Sequence, residues 1–422
     1  MSEKRRDNKG RLLRSGERQR SDGMYEYRYI DARGKKHSVY SWRLVQTDRT
    51  PPGKRSNAPL RELERQIERD VEDGIEAWRA HNLTLNTLFD DYIESKYELK
   101  QSTRTNYRYM YNKYIRDDFG LRKVADINYS DIRKLYNFLL NEVGFKPNSL
   151  DVINTILHPV FAIAVRDGVI RTNPTDGVMA EIRRTHTWEK PKRHALTIEQ
   201  QEAFINYVAS SEVYDKWLPL FTLLLGTGCR IGEALGLRWK DCDFRRGVIS
   251  INHTLIYRLQ DSGAVEFHVT KPKTQSGVRV VPMLREVKSA LLHEYERQLV
   301  AGFNTSEVDG YSGFIFMNKD GDMLSPHCVN RTIKRIYTSY NQQEKMDARA
   351  SHREPILIPH FTAHNLRHTF CTRFCENETN LKVIQDIMGH ADIRTTMDIY
   401  NEATMDKKRE SFENLEGKIK IS

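Results

Sequence analysis

The sequence predicts an α+β multidomain protein: a small N-terminal antiparallel β-sheet domain, an all-α bundle, and a mixed, mostly α domain with a small antiparallel sheet. Three observations predict it. The 422 residues exceed one compact core, since domains run at roughly 100 to 200 residues, so two to four domains are expected. Positive charge gathers at one end: residues 1–55 hold 16 Lys and Arg against 7 Asp and Glu, nearly all of the chain's net charge of +10. Beyond that end the apolar spacing turns helical, and it is interrupted at the basic connector RRTHTWEKPKRH (183–194). A positive end on a near-neutral body reads as a module for an anionic polymer, with nucleic acid the leading partner.

Taken in order, residues 24–30 (MYEYRYI) and 37–44 (HSVYSWRL) are aromatic and β-branched runs around Ala32-Arg33-Gly34-Lys35, the pattern of a hairpin. A basic sheet of this kind can lay its strands or turn in a DNA groove; the plainer alternative is a solvated basic tail. Residues 51–58 (PPGKRSNA) are linker-like. Leu60, Leu63, Ile67, Val71, Ile75 and Trp78 then recur at helical spacing, which predicts one amphipathic connecting helix. From Leu83 to about Asp176 the helical pattern breaks at Gly120, 126–128, 144–147 and Gly168, giving four or five helices. One of them, Lys100 to Lys113, interleaves Thr, Tyr, Arg and Lys, side chains that reach phosphates and base edges, although tyrosines at this spacing also fill cores. Thr197 and Gln200 form a capping-box pattern, and Leu218 to Leu225 is an apolar helix. Val248 to Tyr257 and Val265 to Val281 have strand character around a long turn, and helices follow to the end. The expected division is 1–58, a connecting helix at 59–82, a bundle at 83–180, a linker at 181–195, a last domain at 196–403 and a tail at 404–422.

No apolar run approaches the roughly 18 residues of a membrane helix, and the basic N-terminus has no apolar segment behind it, so a cytoplasmic protein is expected. Five scattered cysteines fit reduced thiols better than a disulfide framework.

Four clusters carry reactive side chains. In TGCRIGEALGLRW, Arg230 follows two glycines and Glu233 lies one helical turn on, so a guanidinium sits near a helix N-terminus that can face an anion. In His364-Asn-Leu-Arg367-His368 the spacing puts His364 on one helical face with Arg367 and His368. A metal site there would want Glu after the first His, and Asn365 stands in that place. Gly389-His390 precedes Tyr400 by ten residues, and Lys271-Pro-Lys273-Thr-Gln-Ser-Gly-Val-Arg279 is a cationic turn. Each is unremarkable alone: a surface pair, a solvated helix face, a packing tyrosine, an exposed turn. Together they supply what phosphoryl transfer without a metal needs: two guanidiniums, a Lys acid, imidazoles and a phenol nucleophile.

With these residues in this order, the chain resembles the tyrosine recombinase family, the integrases of temperate phages and mobile elements, and most of all the conjugative-transposon integrases. The resemblance covers about Leu83 to Ala403; in the N-terminal part it rests on position, charge and strand pattern. It implies that Arg230 and Arg367 bind the scissile phosphate, that Tyr400 attacks it to form a 3′-phosphotyrosine, and that Lys273 protonates the leaving 5′-oxygen, with Lys271 in the same turn. It also implies that His364 assists proton transfer at the tyrosine, that His390 is a further phosphate contact, and that Glu233 orients its neighbours. The three domains become arm-DNA-binding, core-binding and catalytic. Arg28, Lys35, Lys36, Arg43, Lys100, Thr103, Arg104, Tyr107, Arg108 and Arg193 are the expected DNA contacts. The implied partners are double-stranded DNA at element ends, arm sites and crossover sites, three further copies in a tetramer, an excision factor and a host DNA-bending protein. No cofactor or metal is implied. Rival readings are a type IB topoisomerase, a silent DNA-binding regulator and, most distant, a metallohydrolase.

Overall fold

The structure is a computed structural model and describes residues 5–31, 34–185, 194–259, 264–272 and 275–400. The chain divides into two compact units, Met1–Lys190 and Pro191–Ser422.

The first unit opens with an antiparallel sheet of β1 (Glu17–Gln19), β2 (Tyr25–Ile30) and β3 (Lys36–Ser41), in that order. Strand alternation sorts its faces. Tyr25 and Tyr27 are buried with Leu44 and Leu60, the first residue of α1 (Leu60–Glu72), while Arg28 and its partner Ser38 lie exposed. The hairpin is where the sequence puts it, but β1 is an addition. Its three residues, Glu-Arg-Gln, have no apolar signal; Glu17 is buried because Arg61 of α1 meets its carboxylate at 2.9 Å.

The connecting segment is two helices, not the single one expected. α1 stops at Glu72, and α2 spans Ala77–Asn82. Gly74 takes a left-handed φ of +72°, Glu76 N–H turns to Gly168 O at 2.7 Å, and Arg171 grips Asp70 at 2.8 Å together with Asp73. Glycine tolerates that conformation and ends the helix.

The bundle consists of α3 (Leu85–Ser95), α4 (Gln101–Tyr114), α5 (Tyr129–Asn141), α6 (Pro147–Arg166) and α7 (Val178–Thr185). Thr84 caps α3, and Asn128 with Asp131 forms a capping box on α5. In the core Phe89 stacks on Tyr111, whose hydroxyl donates to Asn86 Oδ1 at 3.0 Å. Among the described residues α6 alone is long and apolar enough to cross a membrane; Leu150, Ile153, Ile156, Leu157, Val160 and Phe161 instead fill this core. α7 runs into the segment expected as linker because Ile182 is buried against the bundle.

In the second unit, α8 (Ile198–Ser210) starts on the Thr197–Gln200 capping box. α9 (Leu218–Thr227), apolar on all sides, is the central helix and packs on α11 (Arg285–Ala301) and α13 (Ala363–Asn377). Between them come α10 (Ile231–Gly236), a sheet of β4 (Cys242–Asp243), β5 (Val248–Ile251) and β8 (Arg279–Pro282), and a separate hairpin of β6 (Thr254–Leu259) and β7 (Val265–Thr270). Each expected strand run is thus split between two sheets. The first bends at His253, whose buried ring bonds Gly236 O at 2.6 Å. α12 (Pro326–Ala350), α14 (Leu381–Met388) and a helical segment at 393–400 complete the described part of the unit.

The start of this unit is moored to α13. Asn365 donates to His194 O (3.2 Å), Thr369 Oγ1 accepts from Leu196 N–H (3.0 Å), and Arg373 donates to Leu196 O (2.9 Å). Residues four apart share a helix face, so the three form one polar stripe.

Candidate active site

The site begins at the corner between α9 and α10. Gly228 ends α9 with φ +62°, and a Cβ there would lie 2.4 Å from the Phe370 ring, so only glycine lets the chain turn this closely over α13. Two residues later Arg230 occupies the N-cap of α10. The capping acceptor is Glu233, whose carboxylate takes the Arg230 backbone N–H at 2.9 Å and the Arg230 guanidinium at 2.7 Å.

Three guanidiniums converge on the end of α14. Arg279 donates to Ile387 O (2.7 Å), Arg367 to Met388 O (2.6 Å) and Arg230 to Gly389 O (3.0 Å). The last carbonyls of a helix lack partners within it and carry its negative end, so cations satisfy them well. Arg367 also donates to Gly228 O at 2.6 Å and so ties the α9 corner to α14. The side chains of Arg279 and Glu233 are only 5% and 2% exposed, whereas Arg230 is 42% exposed and faces solvent.

Electrostatics follow from this crowding. Burial, and then the neighbouring Arg230, push Arg367 down to about 10, which leaves it charged at neutral pH. Burial pushes the Glu233 carboxyl up, but hydrogen bonds and charge from Arg279, then Arg230, more than offset that and hold it below the usual range. Burial, then Arg367, Arg230 and Arg279, push His390 down to about 4, so its ring is neutral at pH 7; its Nδ1 shares a hydrogen bond with Thr396 Oγ1 at 2.9 Å. Unfolded, this histidine takes its proton near 6.5, so between about 6.5 and 4 the unfolded chain binds more protons than the folded one. His390 should therefore cost stability as pH falls through that window. A His390→Gln protein should show a flatter Tm against pH between those values, read by circular dichroism.

Tyr400, the last described residue, lies in the helical segment from 393 and packs half-buried on a cluster of Cys371, Cys375, Ile384 and Met388. His364 stands exposed in the first turn of α13, one turn before Arg367, close enough to act electrostatically on His390. Asn365 closes a capping box with Thr362. Direct hydrogen bonds thus tie Arg230 to Glu233 and Gly389, and Arg367 to Gly228 and Met388, while Tyr400 packs against α13 and α14. Lys271 is exposed; Lys273 lies outside the described residues. The residue that sequence reasoning missed is Arg279, noted only as the end of a cationic turn. Its one signal is the strand alternation of β8, where Arg279 and Val281 point inward and Val280 outward.

The expected DNA contacts other than Arg193 are spread over the first unit. Arg28 sits on the outer sheet face paired with Glu26 (2.9 Å), Lys35 lies over the Trp78 ring, Lys36 opens β3, and Arg43 donates to Asn57 O. On α4, Lys100 is the exposed N-cap, and Thr103, Arg104 and Arg108 are half-buried. Arg104 donates back to Lys96 O at 2.7 Å, and Tyr107 packs against the bundle core. Arg193 lies outside the described residues.

Comparison with known proteins shows the family of the chain. The phage integrase family matches residues 194–407, its N-terminal SAM-like domain matches 84–140, and the DNA-binding domain of the Tn916 integrase matches 1–71. The chain belongs to the phage integrase family of tyrosine recombinases. This recombinase is 35% identical over 417 residues to the transposase from transposon Tn1545 of Streptococcus pneumoniae, a match covering 98% of this chain and 97% of the transposase. It is 34% identical, with the same coverage, to the transposase from transposon Tn916 of Enterococcus faecalis. Among solved structures, the Tn1549 transposon integrase in complex with a circular intermediate DNA superposes with a TM-score of 0.68 at 28% identity, covering 79% of this recombinase and 99% of that chain.

Proposed function

We propose that the recombinase integrates and excises a mobile element of the conjugative-transposon kind, by cutting and rejoining DNA through a 3′-phosphotyrosine intermediate. The observation that carries this is the convergence of Arg230 and Arg367 on the α14 turn that leads into His390, with Tyr400 packed on the same two helices. Full-length similarity to two transposon-encoded transposases supports the choice of element.

The roles follow from what each group can do. Arg230, half-exposed, and Arg367 beneath it neutralise the nonbridging oxygens of the scissile phosphate, where charge grows in the transition state. The Tyr400 oxygen attacks phosphorus; a 3′-phosphotyrosine bond forms as the bond to the 5′-oxygen breaks. That oxygen takes a proton from Lys273, and the tyrosine proton passes toward His364. Neutral His390 contributes a hydrogen bond to the phosphate, and Glu233 holds Arg230 in place. None of these roles calls for a metal or a nucleotide.

In the same reading residues 1–58 hold arm sites through Arg28, Lys35, Lys36 and Arg43. The bundle, at 83–180, engages the core site through Lys100, Thr103, Arg104, Tyr107 and Arg108, and Arg193 adds a contact from the linker. Residues 196–403 form the catalytic domain. Four protomers exchange strands in pairs through a Holliday junction in the cytoplasm, with residues 404–422 docking on a neighbour. An excision factor and a host DNA-bending protein set direction.

The test uses nicked suicide duplexes tiled from the DNA beside the gene, incubated with protein in EDTA without ATP and run on a denaturing gel. A covalent protein–DNA band is the expected result. DNA that shifts in a native gel and yields no such band on any duplex would reject the cleavage chemistry.

A further inference from the structure

The geometry points to Arg279 as a positioning residue for strand cleavage: through the carboxylate of Glu233 it fixes the direction of the Arg230 guanidinium, and it holds the same turn that Arg230 and Arg367 grip. This role presupposes the tyrosine reaction proposed above.

Glu233 is shared. Arg230 Nη1 donates to its Oε1 at 2.7 Å, and Arg279 takes both oxygens, Nη1 to Oε1 at 3.2 Å and Nη2 to Oε2 at 2.8 Å. A fork of two parallel hydrogen bonds fixes the plane of a carboxylate as a single point charge cannot. With that plane fixed, the oxygen that Arg230 meets is fixed too. The remaining Arg279 donors reach Ile387 O at 2.7 Å and Gly277 O at 3.4 Å. One side chain thus joins three segments distant in sequence: the α10 corner, the end of the cationic turn, and the last turn of α14.

Gly389 fits the same device. A Cβ at this position would stand 2.9 Å from Arg279 Nη1, so the bare glycine lets the backbone lie against the guanidinium. Arg279 itself is buried beside Glu233 while Arg230 faces solvent, so it acts through Arg230 rather than on DNA.

The experiment compares the full-length protein with Arg279→Met and Arg279→Lys on a duplex that the parent cleaves, by single-turnover formation of the covalent band. Each protein is also tested on the same duplex with a methylphosphonate at the scissile position, which removes one oxyanion for Arg230 to bind. On the phosphodiester both variants should be slower by about 100-fold, the scale of a misplaced catalytic group, with DNA affinity unchanged. On the methylphosphonate the gap to the parent should shrink to under about tenfold, because the misdirected guanidinium has less to contribute there. If Arg279→Met fails to fold, Arg279→Lys decides, since it keeps a charge beside Glu233 but can form neither the fork nor, with it, the bond to Ile387 O. Variants within about threefold of the parent on the phosphodiester, or equally slow on both substrates, would overturn the role. A parent that forms no band on any duplex would instead overturn the tyrosine reaction.

Discussion

A Tyr400→Phe protein should shift the same DNA as the parent and form no covalent band. The ring of Tyr400 packs against Cys371, Cys375, Ile384 and Met388, and phenylalanine fills the same space, so the fold around α13 and α14 is kept. Only the attacking oxygen is lost. Removing a nucleophile costs on the order of a millionfold where the rest of the site has no substitute. Arg230, Arg367 and His390 can bind and polarise the phosphate but cannot form the bond in its place. Native and denaturing gels run on the same reactions measure both halves. A covalent band at a hundredth of the parental rate or more, on that scale, would mean that another side chain attacks.

Arg367→Met should damage both cleavage and stability. The residue is 4% exposed, its guanidinium is the shared donor to Gly228 O and Met388 O, and methionine occupies similar length with no donor. Each buried carbonyl left without a partner costs about 1–3 kcal/mol, partly offset because a charge no longer has to be buried beside Arg230. Cleavage should fall by about 100- to 1000-fold, as when one preorganised donor is taken from a developing oxyanion. Thermal denaturation and single-turnover cleavage separate the two losses. A protein with lowered Tm and unimpaired cleavage would leave Arg367 a structural residue only.

The parts of this site that could be read in the sequence are those whose geometry is local. Arg230 and Glu233, or His364 and Arg367, are three residues apart, and the helix repeat alone puts them on one face. The fold class was legible for the same reason, since apolar spacing separates sheet, bundle and mixed domain. What could not be read depends on partners far along the chain. Arg279 meets Glu233 across 46 residues and Ile387 across 108, through the pairing of β8 with β5. The break at Gly74 answers to a carbonyl of Gly168, and β1 is held by Arg61 rather than by any apolar pattern. Tyr107 is a mixed case: spacing places it on α4 beside Arg104 and Arg108, and only the packing shows that its half-buried ring also lies against the bundle core.

The mooring of residues 194–196 on α13 also fixes where the second unit could be severed as a free-standing piece. A fragment beginning at Thr197 would strip the amide of Leu196 from Thr369, its carbonyl from Arg373 and the carbonyl of His194 from Asn365, on the helix that presents His364 and Arg367. The shortest self-sufficient catalytic piece therefore starts inside the basic connector, at or before His194, and not at the first helix that follows it.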